Sequence, residues 1–335
     1  MIDPVSLLAL VLVATLTCYA LLGGADYGGG LWALLATGRT AERQRATIAH
    51  AIGPVWEANH VWLIVAIVIL FTGFPRAFAA VATLLHVPLL LLLLGIVVRG
   101  SAFVFQAYGA DDRRHQRFWG RLFAAASTAT PLVLGVIVGA VTEGALPADT
   151  TGPFGTVFIR PWLTPFALSV GVFALALFGY LAAVYLTLEA HDSDERAAFR
   201  RRALVSGVLA GGLAAIVLLL APSDVRRGLI ASPWAGPLHV ATGTSAVAAL
   251  VFVAQRRYRS ARIAAAAQVA LILWGWALAQ YPYVIRHHLT LAAAAAPENV
   301  LIVLLQVLGV GAVVLLPSLL YLFRIFGPRG HEGKE

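Results

Sequence analysis

The sequence predicts an all-α polytopic membrane protein that crosses the bilayer about nine times. Three observations lead there. Hydrophobic residues fill 60% of the 335 positions and charged residues 12%, with a mean hydropathy of +0.85, whereas an ordinary soluble domain carries about 25% charged residues. The apolar residues fall into nine runs of about 20 residues or more, the length at which a helix crosses a hydrocarbon core. These runs are continuous, unlike the short alternating segments of a closed barrel. No room remains for a sizeable soluble domain.

Taken in order, the first apolar run, Val5 to Leu22, continues helically past Asp26 to about Ala36. It follows no basic segment and shows no small-residue cleavage site, so it reads as a retained span and not a signal peptide. Further spans are expected at 55–73, 77–106, 119–142, 162–189, 202–221, 235–254, 262–281 and 299–325. Pro88, Pro131 and Pro317 fall inside spans, where neighbouring helices can satisfy the freed carbonyls of a kink. Segment 143–161, with Glu143, Asp149, Pro147, Pro153 and Pro161, reads as an irregular loop. Segment 282–298, carrying Arg286, His287 and His288, forms a second long connection.

Orientation follows from the basic residues. Segments 37–54, 99–121, 190–202 and 255–262 and the tail from Arg324 collect 19 of the 24 Lys and Arg on one side. Only Arg76, Arg160, Arg226, Arg227 and Arg286 lie on the other. The positive-inside rule then places the N-terminus outside and the C-terminus inside, as an odd number of spans requires. A net charge of +8 is of the kind nucleic-acid binders carry, but the basic residues sit in short connections between spans, so a membrane surface accounts for them. The single cysteine, Cys18, excludes an internal disulfide and a cysteine-based metal site.

Chemistry concentrates in three spans. Segment 53–63 places Glu57, Asn59 and His60 at the start of an apolar run, and an ionisable side chain at mid-membrane costs about 2.5–3.5 kcal/mol on insertion scales. Asp26 lies about ten residues before the inner end of span 1 and Arg99 about seven before that of span 3. At 1.5 Å rise per residue, all three fall in the inner third of the membrane. One reading makes Asp26 and Arg99 a buried ion pair with Glu57 reaching the inner interface. The other is a proton or ion route entered from inside, with Glu57 as relay.

Asp26 is embedded in a glycine-rich stretch, and Gly24 and Gly28 match the small-xxx-small spacing that brings helix backbones together. The same glycines weaken helicity. His60 lies one turn beyond Glu57 on the same face, His86 in the outer half of span 3, His50 in an inner loop and His239 near the start of span 7. A transmembrane histidine is a candidate haem ligand, though packing and proton-relay roles are the commoner ones. Tyr281, Tyr283, His287 and His288 read as interfacial anchors.

Four segments, GADYGGGLW (24–32), IGPVWEANHVWLI (52–64), FPRAFA (74–79) and LLLGIVVRGSAFVF (92–105), resemble subunit II of the cytochrome bd-type quinol oxidases, including their cyanide-insensitive relatives. The resemblance is dense over residues 1–110 and thereafter one of hydropathy, spacing and scattered residues such as YPYV (281–284). It implies two four-helix bundles plus a peripheral helix, mapped here as 1–142, 162–281 and 299–325, with a cytoplasmic tail at 326–335. It implies a haem-bearing subunit I as partner, carrying two b-type haems plus a d-type or third b-type haem and the quinol-oxidising loop. The complex would reduce O2 to water with quinol electrons in the bacterial or archaeal cytoplasmic membrane, generating proton motive force without pumping. Glu57 aligns with the acidic residue of the Trp-Asp/Glu-x-Asn segment, proposed to lie on a proton path, with Trp56 and Asn59 in the same motif. Asp26 and Arg99 align with the acidic residue of the first helix and the arginine of the third. Glu57 departs from the aspartate of some members. A small accessory subunit, and a structural quinone or lipid in this chain, are left open by the resemblance.

Two other classes fit the residues alone. A secondary transporter would use the Asp26, Glu57 and Arg99 cluster as substrate site, supported by a glycine-broken first span. A membrane scaffold would use the same residues for packing.

Overall fold

The structure, a computed structural model, describes residues 3–38, 40–108, 113–147 and 150–326, with side chains described for all of these except 53–58, 107–108, 113 and 322–326. Asp149 and the tail beyond Phe326 lie outside the described residues. In chain order the helices are α1 (Pro4–Leu34), α2 (Ala41–Val68, extended by a π turn at Ile69–Gly73), α3 (Pro75–Leu84), α4 (His86–Tyr108), α5 (Arg113–Glu143), α6 (Pro165–Glu189) and α7 (Ser193–Leu220). There follow α8 (Ser223–Ala231), α9 (Ala235–Ala254), α10 (Tyr258–Gln280), a hairpin of β1 (Tyr283–Ile285) and β2 (Leu289–Thr290), α11 (Leu291–Ala294) and α12 (Glu298–Phe326). Among the described residues, 8 helices are long and apolar enough to cross a membrane, or up to 9 counting the bent pair Asn59–Gly73 and Pro75–Leu84.

The helices pack around α6. It touches α1, α5, α7 and α10, while α1 also packs on α2 and α5, α4 on α5, and α9 on α7 and α10. The largest buried cluster accordingly runs along α6 from Leu177 through Tyr180–Val184 to Leu186 and takes in Trp32, Ile48, Phe123, Phe199 and Val269 from its neighbours. At the margin α12 touches α1, α2 and the π turn, and Val310, Val313 and Leu320 point away from the protein. In a membrane these are lipid-facing positions, where apolar exposure costs nothing.

Several helices start earlier than hydropathy predicts. A loop was expected over 37–54, yet α2 begins at Ala41, so His50 is helical and Glu57 lies well inside the helix. Ala41, Gln44, Thr47, Ile48 and Ile52 are buried, a helical spacing along one face. The apolar-length criterion misses it because the opposite face is polar. In the same way α7 begins at Ser193 and buries Glu195 and Phe199 before its apolar run starts.

The third span, expected as 77–106, is instead interrupted. The chain turns through 112° after Gly73, and the short α3 ends at Leu85 before α4 sets off from His86. Pro75 supplies a helix start. Pro88, expected inside a span, falls in the first turn of α4, where no backbone donor is required. Pro131 and Pro317 do lie within continuous helices.

Arginine closes helix ends. Arg45 donates from Nε to Ala33 O (3.1 Å) and from Nη2 to Ala36 O (2.7 Å) at the end of α1. Arg196 does the same for Thr187 O and Ala190 O at the end of α6 (3.2 and 2.6 Å), and Arg200 for Val253 O and Ala254 O at the end of α9 (3.2 and 2.9 Å). Each fork engages two carbonyls at the negative pole of a helix, which one lysine cannot do in the same plane. Arginine supplies all but one of the 24 basic residues, and these three are committed to helix ends in this way.

At the opposite end the hairpin is clasped to the bundle. Arg286 donates to Asp224 Oδ2 (2.5 Å) and Ala279 O (2.7 Å), His287 Nε2 lies 3.2 Å from the same carboxylate oxygen, and His288 Nε2 lies 3.0 Å from Gly144 O. Burial raises the Asp224 carboxyl, but the hydrogen bonds from Arg286 and from the backbone at Val225, together with the Arg286 charge, outweigh it and hold the group below the usual carboxylate range. His287 and His288, expected as interfacial anchors, thus tie loops together, whereas Tyr281 is exposed.

The glycine-rich stretch does not break α1, which runs unbroken from Pro4 to Leu34. Its glycines are contact points. A Cβ at Gly28 would lie 2.0 Å from Phe178 O, and one at Gly24 would lie 2.5 Å from Leu181 Cδ1, both on α6. Tertiary contact therefore overrides intrinsic propensity. Gly28→Ala is expected to lower the thermal midpoint of the purified chain through overpacking of about 1–3 kcal/mol. Gly211→Ala, whose Cβ meets nothing within 4 Å, should leave it unchanged. Equal midpoints for both variants would contradict the contact.

Candidate functional site

Three helices bring polar groups to one buried point. On α1, Asp26 follows the glycines that let the helix approach α6; on α4, Arg99 projects from an otherwise apolar face; on α2, Asn59 completes the set. All three are 0% exposed. Arg99 Nη2 donates to Asp26 Oδ1 in a fully buried ion pair. Asn59 Nδ2 lies 3.4 Å from the other carboxylate oxygen, Oδ2.

The guanidinium is fixed from further directions. Its Nε donates to Ser127 Oγ on α5 (2.9 Å). The Tyr27 ring centre lies 4.6 Å from its central carbon and that of Phe123 5.2 Å, cation–π distances on two rings. Tyr27 in turn stacks on Phe178 of α6 and hydrogen-bonds Tyr19 through their hydroxyls (3.2 Å). In a low-dielectric interior each further group of such a pair that is satisfied offsets part of the cost of burying it. Among the described residues, Asn59 Oδ1, Arg99 Nη1 and Trp62 Nε1 are buried without a hydrogen-bond partner, so donors and an acceptor remain at the edge of the site.

The structure therefore joins Asp26, Arg99 and Asn59, which the sequence singled out. His60 follows Asn59 in α2 and is within electrostatic reach of the Asp26 carboxylate. The backbone of residues 53–58 is helical, but the side chains of Glu57 and Trp56 lie outside the described residues. His86 stands apart at the start of α4, donating to Thr83 O (2.9 Å) with its ring edge-on to Phe158 and Phe154 (4.8 and 6.1 Å). His239 bonds Leu229 O (2.7 Å). Gly24 and Gly28 hold α1 against α6, as described above.

Ser127, Tyr27 and Phe123 were not anticipated. Tyr27 stood beside Asp26 in the motif, and Ser127 was signalled only by hydroxyl residues within the apolar run of α5. Neither carries a charge, so burial cost alone could not flag them.

Of the two histidines considered as haem ligands, His86 has its ring bonded to Thr83 O and packed by Phe158 and Phe154, and His60 lies within electrostatic reach of the Asp26 centre. Among the described residues, three or more His, Cys, Asp or Glu side chains do not gather to hold a metal ion.

Removing one partner of the ion pair leaves the other charge buried and alone, at roughly 3–5 kcal/mol. Asp26→Asn and Arg99→Leu are therefore expected to lower the yield of folded, detergent-stable protein as well as activity. Wild-type yield and thermal midpoint in both would contradict a structural role for the pair.

Comparison with known proteins places the chain in a family. The sequence model described as cytochrome bd terminal oxidase subunit II matches residues 5–326. The cytochrome bd ubiquinol oxidase subunit 2 of Bacillus subtilis is 28% identical over 229 residues, 67% of this chain and 66% of that protein. The cytochrome bd-I ubiquinol oxidase subunit 2 of Escherichia coli is 28% identical over 177 residues, 51% of this chain and 45% of the relative. The chain thus spans from about half to two thirds of the length of these relatives. In three dimensions it is similar to a chain of the bd oxidase from Geobacillus thermodenitrificans, with a TM-score of 0.82 and 22% identity over 97% of this chain and 99% of that one. With the model matching nearly its whole length, the chain belongs to the cytochrome bd terminal oxidase subunit II family.

Proposed function

We propose that this chain is the non-haem, proton-delivering subunit of a bd-type quinol:O2 oxidoreductase in a bacterial cytoplasmic membrane, with its N-terminus outside and its arginine-rich end in the cytoplasm. The observation that carries the reading is the buried Asp26, Arg99 and Asn59 centre, whose Asn59 shares its helix with Glu57, in a chain of this family. The haems, two b-type with a d-type or third b-type, and the quinol site belong to the partner subunit I, where the chemistry takes place.

The balance of the reaction states what this chain must supply. Two quinols deliver four electrons and release four protons outside, while one O2 takes four electrons and four protons to form two waters. Those four protons come from the cytoplasm, which generates proton motive force without pumping. A dry membrane interior does not conduct them unaided. Glu57 takes up a proton on the cytoplasmic side and passes it onward, with His60 one residue past Asn59 on the same helix. Asn59 sits two residues further along α2 than Glu57, about 3 Å at 1.5 Å rise per residue, and its amide joins α2 to the Asp26 carboxylate. Arg99 offsets the Asp26 charge, so the centre holds no net charge to trap the proton. The transporter reading rested on a broken first helix, and the unbroken α1 removes its support.

Glu57→Gln in the complex with subunit I is expected to lower quinol-driven O2 uptake at least tenfold while leaving haem content near wild type. Full turnover across the working pH range would overturn the relay.

A further inference from the structure

The way Arg99 is held departs from the usual arginine–carboxylate pair. In a guanidinium, Nε–H and the near hydrogen of Nη2 lie along one edge, and that edge ordinarily meets both oxygens of a single carboxylate. Here the edge is divided between two helices. Nη2 meets Asp26 Oδ1 on α1, while Nε meets Ser127 Oγ on α5 at 2.9 Å. Ser127 takes the place of the second carboxylate oxygen. Asp26 Oδ2 is thereby left to Asn59 Nδ2 on α2.

The surrounding packing is built for that division. Ser127 is 0% exposed, and it fits because its neighbour on α1 is glycine. A Cβ at Gly30 would lie 2.1 Å from Ser127 Cβ and 2.6 Å from its Oγ. On the other flank Gly95, one turn before Arg99 on α4, admits Thr130 of α5, whose Oγ1 would lie 2.5 Å from a Cβ there. Close contacts on both sides of α5 thus set the height of Ser127 against Arg99. The Tyr27 and Phe123 rings leave the guanidinium little freedom to tilt.

We infer that Ser127 is a positioning residue of the proton-delivery site: by occupying Arg99 Nε it keeps Asp26 singly engaged with Arg99 and its second oxygen turned to Asn59 on α2. The inference rests on the relay reading above and adds the device that couples the ion pair to the relay helix. Without the hydroxyl, Asp26 turns both oxygens onto the Nε and Nη2 edge. The ion pair then tightens while the link to α2 is lost. A purely structural serine would behave otherwise, because its closest approach to Gly30 is made by Cβ, which alanine keeps.

The test uses the complete complex with subunit I. Ser127→Ala is expected to retain wild-type haem content and a thermal midpoint equal to or above wild type, yet to lose severalfold in quinol-driven O2 uptake per haem and to change the pH profile of that uptake. Ser127→Thr, which restores the hydroxyl, should recover the wild-type pH profile. In an Asn59→Leu background, Ser127→Ala should have no further effect, since the link it protects is already gone. The inference is overturned if Ser127→Ala keeps wild-type uptake and pH profile, if it loses haem in proportion to activity, or if the two substitutions act additively. Glu57→Gln measured alongside separates the two levels. An inactive Glu57→Gln with a wild-type Ser127→Ala removes only the positioning role, whereas a fully active Glu57→Gln removes the relay and this inference with it.

Discussion

The buried Asp26–Arg99 pair is the constraint to which the rest of the polar centre is fitted. Two opposite charges in a membrane interior are tolerable only together, and each further hydrogen bond they gain lowers the cost. That requirement brings α4 to α1 although their backbones are not close neighbours, and the long arginine side chain bridges the interval. It also recruits Ser127 from α5 and Asn59 from α2. Four helices are therefore registered in depth by one ion pair, and the glycines at 24, 28 and 30 follow from it. They let α1 lie close enough to α5 and α6 for Asp26 to be wholly enclosed.

Charge does a second job at the helix ends. The positive-inside pattern gives orientation, but the forks of Arg45, Arg196 and Arg200 show that individual members of that pattern are committed to carbonyls of α1, α6 and α9. A headgroup-facing charge and a helix cap are thus combined in single residues. The arginine-rich side is consequently an ordered surface more than a diffuse positive field.

What could be read in the sequence follows from physical contrast. Asp26, Arg99 and Asn59 stand out because charge and amide are costly in an apolar run, and their matched depths announced their meeting. The positions of α9 and α12 were legible for the same reason, since their apolar runs end abruptly. The start of α2 was not, because residues 41–52 bury one face while presenting arginines on the other, and a hydropathy window averages the two. The break at Leu85 escaped notice because α3 and α4 are both apolar and only their direction differs. Ser127 and Gly30 were hidden for another reason: each is ordinary alone, and their meaning lies in the 2.1 Å that a Cβ at Gly30 would leave between them.

The central claim is that this chain is the non-haem subunit of an oxidase whose haems are held by its partner. A reduced-minus-oxidised visible spectrum of the tagged chain, purified in mild detergent with and without co-expressed subunit I, tests it most directly. The account predicts haem bands, together with quinol-driven O2 uptake, only when the partner is present. Haem on the isolated chain, or a stable haem-free chain that captures no partner, would contradict it.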